Sequence, residues 1–198
     1  MDNVTLSPNT ALRRFPSVPC SVESMTEIAG TRIIADLTHR PRTGLRGHGT
    51  PEWCRANELP FPAGINCVAR AEGLRIARLG STELLVLSES DAALPSAFAD
   101  LPAGTYLAYR EETWAWFRMT GPGTVEALAA CTSEDLVHLR DAPDRVVQTR
   151  FAGLDAVLVL SGTEKAPVVD IFTDIASHRY LTNVFAERCP EFTLQWQG

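Results

Sequence analysis

Three groups of residues in this chain are of types that do chemistry or recognition. His39, His48 and Cys54 could each bind a transition metal through an imidazole nitrogen or a thiolate. Their spacing fits no zinc-ligand pattern, and a site would need a fourth donor and a supporting shell, so no metal is expected. Arg40, Arg42, Arg46 and Arg55 form the second group. If residues 42–47 are extended, alternation puts Arg42 and Arg46 on one face and Thr43 and Leu45 on the other. That face is either a solvated sheet surface or a docking face for a carboxylate-bearing ligand or an acidic partner, where the guanidinium fork binds two oxygens at once. The third group is Trp114, Trp116 and Phe117 in "TWAWFRM". In a strand both tryptophans face one side, Phe117 and Met119 the other, so if both sides are apolar one meets helices and the other a partner chain. No Ser-His-Asp or Cys-His spacing marks a nucleophile, and no catalytic residue is assigned.

A glycine turn sits among these residues, in "TGLRGHGTPEWCRANE". A Gly-x-Gly ahead of a helix can offer amides to an anion. The phosphate-loop pattern, however, needs Lys-Ser or Lys-Thr after its last glycine, and here Pro51-Glu52 follows Thr50. The turn reads as scaffolding: glycine for positive φ at a strand-to-helix corner, Thr50 as helix N-cap and Pro51 in the first helical position.

The elements that must position these groups follow from the whole chain. With 198 residues, 45% of them hydrophobic, the chain can bury a substantial core. Eighteen basic against twenty-four acidic residues, a net charge of -6, argue against a general nucleic-acid binder. The first residues hold no apolar core of signal-peptide length, and no run of about 18 apolar residues occurs, so a cytoplasmic protein without membrane spans is expected. Five cysteines (Cys20, Cys54, Cys67, Cys131 and Cys189) show no C-x-x-C spacing and read as free thiols, with Cys67 and Cys131 as packing residues.

The two halves echo each other. "RGHGTPEWCRA" aligns with "TGPGTVEALAA", and "RLGSTELLVLS" with "RFAGLDAVLVLSG", at a common offset of about 74 residues. Each copy reads as two strands, a helix, three strands and a second helix. In the first copy these are "RIIADLTH", "RTGLRG", a helix from Thr50, "NCVARA", "LRIARLG", "TELLVLS" and a short helix in "SDAALPSAFADL" capped by Ser90 or Asp91. The second copy supplies "TYLAYRE", "WAWFRMTG", a helix from Thr124 to Cys131, "RVVQTRFAG", "LDAVLVLSG", "PVVDIFTDIA" and a final helix. That helix, capped by Ser177 and stopped by Pro190, carries Tyr180, Leu181, Val184 and Phe185 as an apolar stripe. The expected fold is α+β: duplicated ββαβββα units packed as a pseudo-twofold pair. The expected domain spans residues 30–198, with copies at 30–103 and 104–190, after an N-terminal extension at 1–29.

The stretches "FRMTGPGTVEALAACTSEDL", "VVQTRFAGLDAVLVLSG", "VVDIFTDIASHRYLTNVFAE" and "LPFPAGINCVARAEGLRIARLGSTELLVLSE" resemble the gamma subunit of heterotetrameric sarcosine oxidase, over most of residues 30–188. That subunit is similar in turn to the folate-binding domain of the glycine-cleavage aminomethyltransferases, whose "D-x-S-H" strand "ADLTHRPRTGLRG" resembles. The resemblance implies a non-catalytic gamma-type subunit of a sarcosine oxidase-like N-methyl amino acid oxidoreductase complex, with flavin and nicotinamide sites on larger partner subunits and no cofactor in this chain. The alternative it implies is a stand-alone folate-binding aminomethyltransferase-like protein, with tetrahydrofolate as ligand and Arg42, Arg46 and Glu72 as its contacts. The transferases' adjacent aspartates are matched only by Glu72-Gly73, their asparagine by Leu87-Ser88, and the cysteine motif of folate-dependent iron-sulfur maintenance proteins is missing. For the subunit reading, Trp114 and Trp116 are the partner-interface candidates.

Overall fold

The computed structural model describes residues 31–89, 94–137, 144–163 and 166–195. Its elements run β1 (Ile33–Asp36), β2 (Arg42–Arg46), α1 (Thr50–Ala56), β3 (Val68–Ala71), β4 (Leu74–Arg78), β5 (Leu84–Ser88), a 3-10 turn at Ser96–Ala99, β6 (Tyr106–Leu107), α2 (Arg110–Thr113), β7 (Trp114–Thr120), α3 (Thr124–Ala129), β8 (Arg145–Phe151), β9 (Leu154–Thr163), β10 (Ala166–Asp174), a 3-10 turn at Ile175–Ser177, α4 (His178–Arg188) and β11 (Thr193–Gln195). The fold is α+β. Two compact units divide the described residues: one holds Arg40–Thr113, the other residues 31–39 and the described residues from Trp114 on. The expected N-terminal extension lies outside the described residues, as do Ser90 and Asp91.

The first unit is a five-stranded sheet in the order β3-β4-β5-β2-β6. One face carries Leu45, Leu74, Ile76, Leu84 and Val86, which pack with Trp53 and Cys54 of α1 and with Phe98. The strands read correctly from the sequence because each alternates an inward apolar set with the opposite face. "SDAALPSAFADL" holds only the 3-10 turn among its described residues, since Pro95 leaves too few positions after it for an α-helical ladder.

The second unit is a six-stranded sheet in the order β11-β1-β7-β10-β9-β8. Its helical face is a row of apolar side chains, Ile34, Met119, Val169 and Leu160 opposite one another and Phe117, Ile171 and Leu158 beside them. Onto this face pack Val125 and Leu128 of α3 and Leu181, Val184 and Phe185 of α4. Phe185 meets Phe117 edge-on at 5.3 Å. Tyr180 departs from the expected stripe: it is half exposed, and its hydroxyl donates to the Ala152 carbonyl at 2.8 Å, so the buried stripe is narrower than the sequence suggests.

The glycine turns precede α1 and α3. Gly47 has φ +116° and Gly121 φ +100°, as the turn chemistry requires. The threonines do not cap. Gly49 and Gly123 are the N-cap residues, neither helix has a side-chain cap, and Thr124 Oγ1 instead donates backward to the Gly121 carbonyl at 2.8 Å. β1, read as the opening strand of the first repeat, hydrogen-bonds antiparallel to β7 and parallel to β11 in the second unit. β6 in turn edges the first unit's sheet beside β2. "TYLAYRE" yields only this two-residue strand because Tyr109 turns left-handed, φ +48°, and starts α2.

Candidate functional site

The structure separates the residues that the sequence grouped. In the first unit, β2 does put Arg42 and Arg46 on one face, with Gly44 between them. Arg42, however, is buried. Its guanidinium donates to the carbonyls of Arg40 at 3.1 Å, Arg110 at 3.3 Å and Glu111 at 3.4 Å, tying α2 to the sheet. It also heads a row across the sheet in which Arg42 faces Leu87, Leu87 faces Arg75 and Arg75 faces Arg70. Arg75 is equally buried, with Nε 3.2 Å from Glu89. Arg46 is exposed and pairs in register with Tyr106, itself exposed.

Arg42→Ala should therefore lower stability by about 2–4 kcal/mol, because three carbonyls lose a charged donor and a buried volume empties. Arg46→Ala should stay within about 0.5 kcal/mol of the parent. Urea unfolding checks this, and equal midpoints for the two variants would refute the assignment of Arg42 to the framework.

Glu72 is exposed, at the two-residue turn between β3 and β4 with Gly73, on a hairpin edge rather than in a cavity. Its carboxylate and the two arginines do not converge: β4 and β5 stand between this turn and β2 in the sheet order. His48 is exposed, and Cys54 lies under α1, where burial pushes its thiol up to about 11 and leaves it protonated and inert. Among the described residues no three His, Cys, Asp or Glu side chains gather into a metal-binding group. No described helix is long and apolar enough to cross a membrane.

In the second unit, both tryptophans of "TWAWFRM" face away from the helices, as alternation predicts, but only one reaches the surface. Trp116, expected at a partner interface, is fully buried: its ring packs on Phe172 at 5.5 Å and its indole N–H donates to Asp170 Oδ1 at 2.7 Å. Arg118 grips the same carboxylate with both arms, Nε to Oδ1 at 2.7 Å and the terminal nitrogen to Oδ2 at 3.1 Å. A polar cluster of this kind persists in a core because every member is paired. Its sequence signal was a lone charge inside each of two apolar strand runs, Arg118 in "WAWFRM" and Asp170 in "VVDIF".

A second buried pair was invisible to spacing. Asp36 accepts the backbone N–H of Thr38 at 2.9 Å and meets His178 Nε2 at 2.7 Å, while the His178 ring stacks against Phe117 at 4.9 Å. Asp36 belongs to the "ADLTH" strand and His178 opens α4, so the pair fixes the start of the helix to β1. Both side chains are almost completely enclosed, which makes this a framework contact and not a reactive dyad.

Trp114 is half-buried and lines an open cleft of about 700 Å³. Phe172, 5.9 Å from Trp114, and Val157 complete an apolar floor. Among the described residues Glu134, Asp155 and Asp174 stand around it with one guanidinium, Arg150, which already bonds Asp155 at 3.2 Å. The lining presents aromatic faces under an excess of carboxylates, an arrangement suited to an apolar group that carries positive charge. Among the described residues no histidine or cysteine lines it.

No protein-family model matches the chain, and no curated protein matches it in sequence. Its fold does have solved counterparts. A chain of the heterotetrameric sarcosine oxidase from Corynebacterium sp. U-96, determined in complex with pyrrole 2-carboxylate, superposes with a TM-score of 0.66 over 91% of this chain and 96% of that one, at 17% sequence identity.

Proposed function

We propose that this chain is a gamma-type, non-catalytic subunit of a sarcosine oxidase-like complex that oxidises N-methyl amino acids, with flavin carried on larger subunits. The observation that carries this reading is the end-to-end likeness to one chain of a heterotetrameric oxidase: coverage above nine-tenths of both chains means that the two are of nearly equal length. The duplicated ββαβββα architecture is part of the same proposal. Each sheet runs through its strands in the same order relative to its own glycine turn, β3-β4-β5-β2-β6 and β8-β9-β10-β7-β1. Placement of the candidate ligand contacts favours the subunit over the folate binder, since Glu72 lies on an exposed turn and the Arg42 guanidinium donates to backbone carbonyls. Of the interface candidates, Trp114 keeps that role and Trp116 does not.

The test is purification of the native protein from its source. Larger, flavin-coloured chains should co-purify with it. Trp114→Ala should weaken that association at least tenfold, in line with the roughly 2 kcal/mol that buried aromatic anchors contribute at interface hot spots. A chain that purifies alone, and that binds tetrahydrofolate at micromolar strength in a calorimetric titration lost with Glu72→Ala, would replace this reading with the folate-binding one.

A further inference from the structure

The face of the second sheet turned away from α3 and α4 already holds one guanidinium. In register, β7 and β10 set Arg118 opposite Asp170, Trp116 opposite Phe172 and Trp114 opposite Asp174. Alternation puts all of these side chains on one face. At one end, Arg118 lies over the Trp116 ring at 5.7 Å while both its arms bond Asp170. An aromatic surface and a carboxylate together fix an arginine there. At the other end the two strands supply an aromatic ring and a carboxylate again, Trp114 and Asp174, with no arginine from either strand. This end is the cleft floored by Trp114, Phe172 and Val157, where Glu134 and Asp155 add further carboxylates.

We propose that this cleft receives an arginine side chain of a partner polypeptide, with the guanidinium stacked on Trp114 and bonded to the Asp174 and Glu134 carboxylates. The carboxylates are spread out: among the described residues they do not gather into a group that could hold a metal ion. A planar guanidinium with several N–H donors reaches spaced acceptors, which a compact cation does not. The apolar floor suits the face of a guanidinium and its methylene stem better than a strongly hydrated ammonium. Charge agrees with this choice. Among the described residues the one guanidinium of the lining, Arg150, is bonded to Asp155 at 3.2 Å, and Asp174 and Glu134 leave the lining with an excess of negative charge.

Two further features favour a tethered side chain as the occupant. The cleft is open, so a free small molecule would leave much of its surface in water, whereas an arginine carried by a docked chain needs only this one contact. Asp174 is exposed yet held in place, because its Oδ1 accepts the Ala176 N–H at 2.7 Å. A half-buried tryptophan facing an incoming arginine joins two residue types that dominate interface energetics. That the partner is a flavin-bearing subunit rests on the proposed function; the choice of arginine rests on the cleft.

The experiment has two arms. In the first, N-acetyl-arginine amide and its neutral citrulline counterpart are titrated into the full chain, and the Trp114 indole N–H signal, assigned by its loss in Trp114→Phe, is followed by NMR. Arginine should shift it with a Kd on the order of millimolar and citrulline should not. In the second, Asp174→Asn with Glu134→Gln replaces the parent in the native complex; asparagine keeps the oxygen that the Ala176 N–H uses, so the turn is preserved. Association with the larger chains should weaken about tenfold. Asp135→Asn, the same loss of charge at an exposed residue outside the lining, should leave it unchanged. The proposal is overturned if arginine shifts Trp114 no more than citrulline does, or if the complex is unweakened by the double variant; in both cases a co-purifying flavin-bearing chain keeps the subunit reading standing. If the chain purifies alone and the arginine-selective shift is present, the subunit reading fails and the arginine site stands.

Discussion

Asp170→Ala should cost the chain about 3–5 kcal/mol, the range for breaking a buried ion pair from one side. Asp170 is completely buried, and one small carboxylate satisfies both the Trp116 indole and the two donating arms of Arg118. Alanine would leave a mostly enclosed guanidinium and a buried N–H without that acceptor, and neither can turn to solvent without breaking the sheet face. Asp170→Asn keeps an oxygen for the indole and should fall between the parent and alanine. Urea unfolding followed by tryptophan fluorescence measures both, and a loss below about 1 kcal/mol for alanine would show that the cluster is relieved by water.

The second large effect is expected at Gly121. A methyl group added there would lie 2.3 Å from the Thr31 carbonyl oxygen, on a residue whose φ of +100° already disfavours any side chain. Gly47 repeats the situation, its added methyl 2.2 Å from the Gly104 carbonyl at φ +116°. Gly121→Ala should lose about 3 kcal/mol or more, or fail to accumulate as folded protein, because backbone on both sides must move. Gly73→Ala is the control. Its φ is +68° but nothing lies within 4 Å of the added methyl, so only the left-handed penalty of about 1–2 kcal/mol applies. Equal losses at Gly121 and Gly73 would mean that conformation alone, not the close approach, selects glycine in these turns.

These two positions show what could be read before the structure. The glycine turns were legible because a local conformational demand has a local signature, and the same holds for β4, β5, β9 and β10, which are short apolar runs rich in Leu, Ile and Val and buried over most of their length. Pairing was not legible. Nothing within "RIIADLTH" says that β1 joins β7 and β11 instead of β2, because strand choice depends on contacts far along the chain. The candidate site fared likewise. Alternation placed Arg42 beside Arg46 and Trp114 beside Trp116, but it carries no information on which member of each pair is enclosed. Asp36 and His178 meet only because α4 returns across the sheet, and no spacing rule reports that.

The strand exchange also orders the chain's assembly in time. Among the described residues the first unit is one continuous stretch, whereas the second takes residues 31–39 from before it and the remainder from after it. As synthesis proceeds, β1 leaves the ribosome before every other described strand and has no sheet to join; the described first unit follows and can close around α1 while β1 waits. Only when β7 emerges does β1 acquire a neighbour, and its parallel partner β11 arrives last of all. An apolar strand, Ile33, Ile34 and Ala35, is thus held without its sheet partners until β7 emerges, which makes "RIIAD" a segment for a chaperone to cover.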